Sequence, residues 1–238
     1  MTDLDKLKFY RTHEHDCSYL PDRQAMTLFA DPEANLNNPL YSQLTHLGFR
    51  RSGEFIYRPH CQHCQACIPV RLQIDHFKPS RSQKRIIKKN RDLQVRIQTP
   101  RFEPAYFTLY QRYIAARHAD GDMYPATEAQ FQSFLLSRAN QMAATQVAEF
   151  YLADQLVAMA FFDTIDDGLS AIYTFFEPDM AERSLGSFAI LWQIEHCLSL
   201  DLPYLYLGFW IASCDKMKYK NQFQPLEYLI AQQWQTQS

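Results

Sequence analysis

Cys61, Cys64 and Cys67 stand at C-x-x-C-x-x-C spacing, with His60 and His63 beside them. Thiolates at this spacing can converge on one soft ion, and a tetrahedral site wants four such ligands. Cys17 is the candidate fourth, so zinc or an iron–sulfur cluster is one reading of Cys17, Cys61, Cys64 and Cys67. Reduced thiols packed in a loop are the other, since no second C-x-x-C pair exists to complete a local site. Cys197 and Cys214 read as core or ordinary thiols.

Downstream lies a cationic run. Lys78, Arg81, Lys84, Arg85, Lys88, Lys89 and Arg91 follow one another without an intervening acid. At helical spacing Arg81, Lys84, Arg85 and Lys88 share a face, and Ile86 and Ile87 turn toward a core. Such a face suits a phosphate backbone, because each neutralised phosphate releases counterions and gives sequence-independent affinity. Arg50, Arg51 and Arg58 could extend it. The formal net charge is only −2, so the cation is a local patch and not a bulk property. A merely solvated helix face is the competing reading.

Other chemistries lack their signatures. With six glycines the chain carries no P-loop, no G-x-G-x-x-G, no H-E-x-x-H and no G-x-S-x-G. His196 and Glu195 lie on an apolar helical stretch and read as a core histidine and an exposed helix residue. Tyr204, Tyr206, Phe209 and Trp210 read as core, with alternate positions available to line a pocket.

The elements that must position these groups follow from periodicity and breakers. Gln24–Ala30 reads as a strand, 40–47 as a short helix closed by Gly48, and 49–58 as two strands around Ser52-Gly53. The cysteine loop comes next, then a strand over 70–74, the basic helix over 80–90 with a serine N-cap, and a strand over 93–97. Helices follow over 104–118 and 127–138, then strands over 145–153, 155–163 and 169–176 joined by short turns. A strongly apolar helix spans 187–200, a fully apolar strand 204–210, and a last helix 226–233. The expectation is an α+β chain of 238 residues in two parts, 1–100 with the cysteines and basic helix, and 101–238. The element order of the second part matches the GNAT-type acyltransferase fold, whose sheet splits at its C-terminal strands to admit an acyl donor. The polar N-terminus lacks a signal peptide and no apolar run approaches ~18 residues, so a cytoplasmic protein without a membrane span is expected.

The motifs themselves carry a family likeness. Cys17-Ser-Tyr-Leu-Pro-Asp-Arg23, Gly48-Phe-Arg-Arg-Ser-Gly53, Tyr57-Arg-Pro-His-Cys61, Cys64-Gln-Ala-Cys67-Ile-Pro-Val-Arg71 and Ser80-Arg-Ser-Gln-Lys-Arg85 resemble the N-terminal region of aminoacyl-tRNA–protein transferases. Asn90 belongs to the same likeness. It continues through Tyr110-Gln-Arg-Tyr113, Arg117-His118, Asp122-Met123, Ser184-Leu-Gly-Ser-Phe188, Leu202-Pro-Tyr-Leu-Tyr-Leu-Gly208 and Met217-Lys-Tyr-Lys220. The most similar group is bacterial. Its members move leucine from leucyl-tRNA onto proteins beginning with Asp or Glu, which marks them for degradation. Eukaryotic members transfer arginine and can hold an iron–sulfur cluster through N-terminal cysteines. This chain has Cys17 without the C-x-x-C partner of that early motif.

The chemistry implied needs no nucleophile motif. An aminoacyl-tRNA ester is already activated, and the attacking group is an α-amine of pKa about 8. The enzyme must position two substrates, relay one proton and stabilise an oxyanion, with no cofactor required. Arg81, Lys84, Arg85, Lys88, Lys89 and Arg91 are the candidates for the tRNA. Arg50, Arg71, Lys218 and Lys220 are those for the acceptor's carboxylate. Tyr219, Glu195 and Glu227 are candidate bases. The apolar strand over 204–210 and the helix start at 187–191 favour leucine over arginine as the transferred residue. An arginyl-tRNA–protein transferase, an acyl-CoA-dependent acyltransferase, and a non-catalytic RNA-binding or redox-sensing module bearing a metal or cluster are the alternatives.

Overall fold

The computed structural model describes residues 4–136 and 144–236. The N-terminal strands are β1 (Phe9–Arg11), β2 (His15–Asp16), β3 (Gln24–Ala25) and β4 (Thr27–Ala30). Helix α1 (Asn38–His46) starts where Asn37 Oδ1 accepts from Leu40 N at 3.0 Å. Strands β5 (Arg50–Ser52), β6 (Phe55–Pro59) and β7 (Ile68–Gln73) flank the cysteine loop. Helix α2 (Arg81–Lys89) opens on a reciprocal capping box, Ser80 with Gln83, and leads to β8 (Leu93–Gln98). Then come α3 (Pro104–Arg117), α4 (Glu128–Leu135), β9 (Thr145–Leu152), β10 (Gln155–Ile165), β11 (Gly168–Phe176), α5 (Leu185–Ser199), β12 (Tyr204–Trp210), α6 (Asp215–Lys218), β13 (Leu226–Ile230) and β14 (Gln233–Thr236).

Eight strands form one sheet in the order β14-β13-β7-β12-β11-β10-β9-β8, and a second sheet has the order β1-β4-β6-β5. Strands β7 and β8 precede residue 100 yet sit within the large sheet, so the two sequence regions share one set of ladders. In that sheet β11 and β12 run parallel, with α5 as their crossover. The ladder between them holds only for Gly168↔Tyr204, Leu169↔Leu205 and Ser170↔Tyr206. Beyond these residues the two strands part. This divergence is the split sheet of the GNAT-type architecture.

Helix α5 covers one face of the sheet, where Leu72, Phe150, Phe162, Leu205 and Leu207 join its apolar residues and Ile86 and Ile87 of α2 pack alongside. The other face is covered in two halves. Helices α3 and α4 bury Tyr106, Tyr110, Phe131, Phe161 and Phe175 over β9 to β11. Helix α1 and the small sheet bury Tyr41, Leu44, Phe49 and Ile56 near Tyr206.

The expected helix over 226–233 is instead the hairpin β13–β14. Leu226, Glu227 and Tyr228 pair with β7, and β14 pairs with β13. Ala231 and Gln232 turn the chain at φ 51° and 63°, without the Gly or Asn that normally announces such a turn. The strand expected over 24–30 is interrupted at Met26, and the helix expected to reach Arg138 is described to Leu135, residues 137–143 lying outside the described part.

One ion pair fixes the small sheet on the large one. Arg51 of β5 grips Asp163 of β10 through Nε and Nη2, both at 2.8 Å, with side chains 1% and 0% exposed. Tyr41 and Thr145 also donate to Asp163, at 2.9 and 2.6 Å. Removing one member of such a pair strands a buried charge. Asp163→Ala is expected to lower unfolding free energy by roughly 3–5 kcal/mol in urea titrations. A loss below about 1 kcal/mol would show that the pair does not anchor β5.

Candidate active site in the cleft between β11 and β12

Where the ladder ends, Arg50 of β5 enters the fork. Its Nη1 donates to Ser170 Oγ at 2.9 Å and its Nη2 to the Ala171 carbonyl. On the opposite strand Gly208 has φ +77°, and a Cβ there would stand 2.9 Å from Arg50 Nε. Glycine thus lets the guanidinium lie against β12. Arg50 is 9% exposed and makes no ion pair among the described residues. Its charge is buried and uncommitted, with N–H groups to spare for an anion.

Lys220 lies beside it, 5% exposed. Its Nζ donates to the Phe209 carbonyl of β12 and lies 3.1 Å from Met217 Sδ. Desolvation, then the Arg50 guanidinium, bring its ammonium down to about 7, against the opposing influence of the Cys214 and Cys67 thiols. Tyr219 keeps 39% of its surface exposed, yet desolvation and the neighbouring Tyr113 push its phenol up to about 12. An ion pair ties the α6 segment to the chain after α3, Lys216 Nζ to Asp120 Oδ1 at 2.9 Å.

A second cationic feature borders the cleft. Arg81, Lys84, Arg85, Lys88 and Arg91 are exposed, and among the described residues they make no hydrogen bond or ion pair through their side chains. Lys89 is spent on the Glu182 carbonyl at 2.7 Å. Helix α2 is pinned at both ends. Gln83 donates to the Gln222 carbonyl, just after Lys220, and Asn90 to the Arg183 carbonyl, just before α5.

Residues 15–85 match the family model described as the N terminus of arginine-tRNA-protein transferase, and residues 105–230 match its C terminus. The chain is 55% identical to the aspartate/glutamate leucyltransferase of Alcanivorax borkumensis over 238 residues, covering 100% of this chain and 97% of that one. The chain belongs to the aspartate/glutamate leucyltransferase family. It is also 52% identical to the aspartate/glutamate leucyltransferase of Pseudomonas putida over 236 residues, 99% of each chain. Among solved structures it is similar to L-PGS from Bacillus licheniformis, at a TM-score of 0.47 and 9% identity over 87% of this chain and 69% of that one.

Within this leucyltransferase-family chain the candidate residues separate. Arg50, Lys220 and Tyr219 come together at the cleft. Arg71 does not stay free. It lies in a cross-strand row Ser170–Tyr206–Arg71–Glu227. Its Nε donates to Glu227 Oε2 at 2.7 Å, its Nη1 to Tyr206 OH at 3.0 Å, and its guanidinium stacks 3.6 Å from the Tyr204 ring. Glu227 also accepts from Gln73, at 2.8 Å. Arg71 and Glu227 therefore neutralise each other and are corrected to a structural pair. Lys218 is exposed and paired with Asp215 at 2.5 Å, and Glu195 is exposed on α5, whose core lies on the opposite face of the sheet. Lys218 is thus committed to Asp215, and Glu195 lies away from the cleft. Within Tyr204–Trp210, Leu205 and Leu207 are core and Trp210 packs on Tyr228 at 5.4 Å, so the strand is mostly core. Ser170 and Gly208 were missed by sequence reasoning, although a lone glycine in an apolar strand signals close approach.

The cysteine loop adjoins this site. Burial, then the thiols of Cys17, Cys61, Cys64 and Cys214, push the Cys67 thiol up to about 12. Cys61 Sγ is occupied by the Met26 backbone, 3.5 Å from N and 3.7 Å from O. Among the described residues no group of three or more His, Cys, Asp or Glu is arranged to hold a metal ion. The thiols of Cys17, Cys61 and Cys64 lie near enough to Cys67 to raise it. A thiol held so firmly protonated is a poor nucleophile. Cys67 is expected to alkylate most slowly of Cys17, Cys61, Cys64 and Cys67 under iodoacetamide at pH 8, followed by peptide mass spectrometry. Equal rates would show that its thiol is not desolvated.

Proposed function

We infer that this protein transfers leucine from leucyl-tRNA to the N-terminal Asp or Glu of acceptor proteins, marking them for degradation. The observation that carries the reading is the uncommitted, buried Arg50 at the fork of the split sheet, in a chain whose full-length relatives are named for this transfer. The acceptor presents a side-chain carboxylate next to its α-amine. A guanidinium with free N–H groups in a desolvated fork suits that carboxylate and holds the amine near the donor ester. A neutral acceptor would leave Arg50 buried and unpaired, so it is rejected as well as unrewarded.

The tRNA approaches along α2. Its free cations meet the phosphate backbone, and its fixed ends border the cleft through Gln222 and Arg183. The ester needs no further activation, so transfer as proposed uses no cofactor. No helix among the described residues is long and apolar enough to cross a membrane, and we place the reaction in the cytoplasm with leucyl-tRNA. The matched family model is named for arginine, which makes arginyl-tRNA the control donor.

Purified protein given labelled leucyl-tRNA is expected to label peptides beginning with Asp or Glu and to leave an Ala peptide unlabelled. Transfer from arginyl-tRNA instead would reassign the donor, and transfer from neither would end the reading. Changing Lys84, Arg85 and Lys88 together to Ala is expected to weaken leucyl-tRNA binding and to flatten the slope of log K against log salt by roughly 2 to 3. An unchanged slope would take the tRNA off this helix.

A further inference from the structure

Proton transfer is the step for which no residue has been assigned. Glu227 is committed to Arg71, Glu195 sits on the far face of the sheet, and a phenol as weakly acidic as Tyr219 is a poor source of base at neutral pH. Lys220 differs from all three. It is a buried amine with no acid to hold its proton, since among the described residues no carboxylate pairs with it. The charged and titratable groups around it are Arg50 from β5, Cys67 from the loop before β7, Cys214 ahead of α6, and the adjacent Tyr219, whose ring centroid lies 5.6 Å from Lys220 Nζ.

We propose that Lys220 is the catalytic base of the transfer, its Nζ lone pair taking the proton of the acceptor's α-amine beside Arg50. A neutral lysine amine has two N–H donors and one lone pair. The contacts to the Phe209 carbonyl and Met217 Sδ use the two donors, and the lone pair is left for an incoming N–H. This assignment rests on the leucyl-transfer reading.

The step balances within the site. The α-amine nitrogen attacks the ester carbonyl carbon, a C–N bond forms, and the carbonyl oxygen takes up the displaced electron pair. The extra proton on that nitrogen passes to Lys220 Nζ. The tetrahedral intermediate then collapses, the C–O bond to the terminal ribose breaks, and Lys220 returns the proton to the leaving oxygen. Ester and amine become amide and ribose hydroxyl, with Lys220 unchanged. Desolvation and Arg50 bring the amine down to about 7, so a neutral form is present at neutral pH, and the ammonium formed in the first half is acidic enough to serve the second.

The test uses the full chain in single-turnover reactions with preformed leucyl-tRNA and an Asp-initiated peptide, both saturating. Lys220→Met keeps length and removes the amine, and Lys220→Arg keeps charge and removes basicity. Both are expected to bind leucyl-tRNA within about twofold of the unaltered protein and to lose roughly 10²- to 10⁴-fold in rate. Retention of the rate within about threefold by either variant would overturn the proposal, because a packing role tolerates Met and a charge role tolerates Arg. A second measurement needs no variant activity. With ε-¹³C-lysine protein, one lysine resonance, absent from Lys220→Arg, is expected to titrate near 7. Titration of every lysine near the usual ~10.5 would overturn the assignment even if a variant failed to fold. No transfer by the unaltered protein would count against the leucyl-transfer reading, and the lysine titration would still decide whether Lys220 is a free amine.

Discussion

Two parallel strands that separate after three paired residues leave backbone groups without a ladder, and the molecule is arranged around how that gap is filled. The Ala171 carbonyl, the first beyond the pairing, accepts from Arg50 instead of from β12. Arg50 can do this because the next residue, Arg51, is clamped to Asp163, which fixes β5 over the large sheet. It also depends on Gly208, whose missing side chain leaves room for the guanidinium. A chain segment remote in sequence from β11 and β12 thus completes the fork that they open.

The buried charges divide by whether they are paired. Arg51 with Asp163, and Arg71 with Glu227, are neutralised by close carboxylates and hold elements together. Arg50 and Lys220 are buried among carbonyls, a hydroxyl and a thioether, and no carboxylate among the described residues pairs with either. Burying the Arg50 charge unpaired costs stability, which a substrate carboxylate would relieve, and the same charge favours the neutral, proton-accepting form of Lys220. The exposed cations of α2 follow the same logic at the surface, where the cost is small and the missing partner is a phosphate backbone.

Much of the fold was legible in the residues. The serine N-cap of α2, the strands β9 to β11 with their short turns and the apolar helix α5 are local signals, and they formed as their sequences indicate. The hairpin over 226–236 was not legible, because its turn residues carry no turn signature and its strand forms only by pairing with β7. Among the site residues, the cationic face of α2 was fixed by spacing. The roles of the arginines could not be, since Arg50, Arg51 and Arg71 are chemically identical in a sequence.

The sequence by itself determined most of the elements, the basic face and the likeness to aminoacyl-tRNA–protein transferases, all of which are written in periodicity, caps and short motifs. Tertiary structure alone decided which charges are spent and which are free. Glu227 meets Arg71 across 156 positions and Asp163 meets Arg51 across 112, while Arg50 finds only neutral partners at the fork. Pairing in space removes a charge from chemistry and burial without pairing reserves it, and neither property belongs to a residue until the sheets close over it.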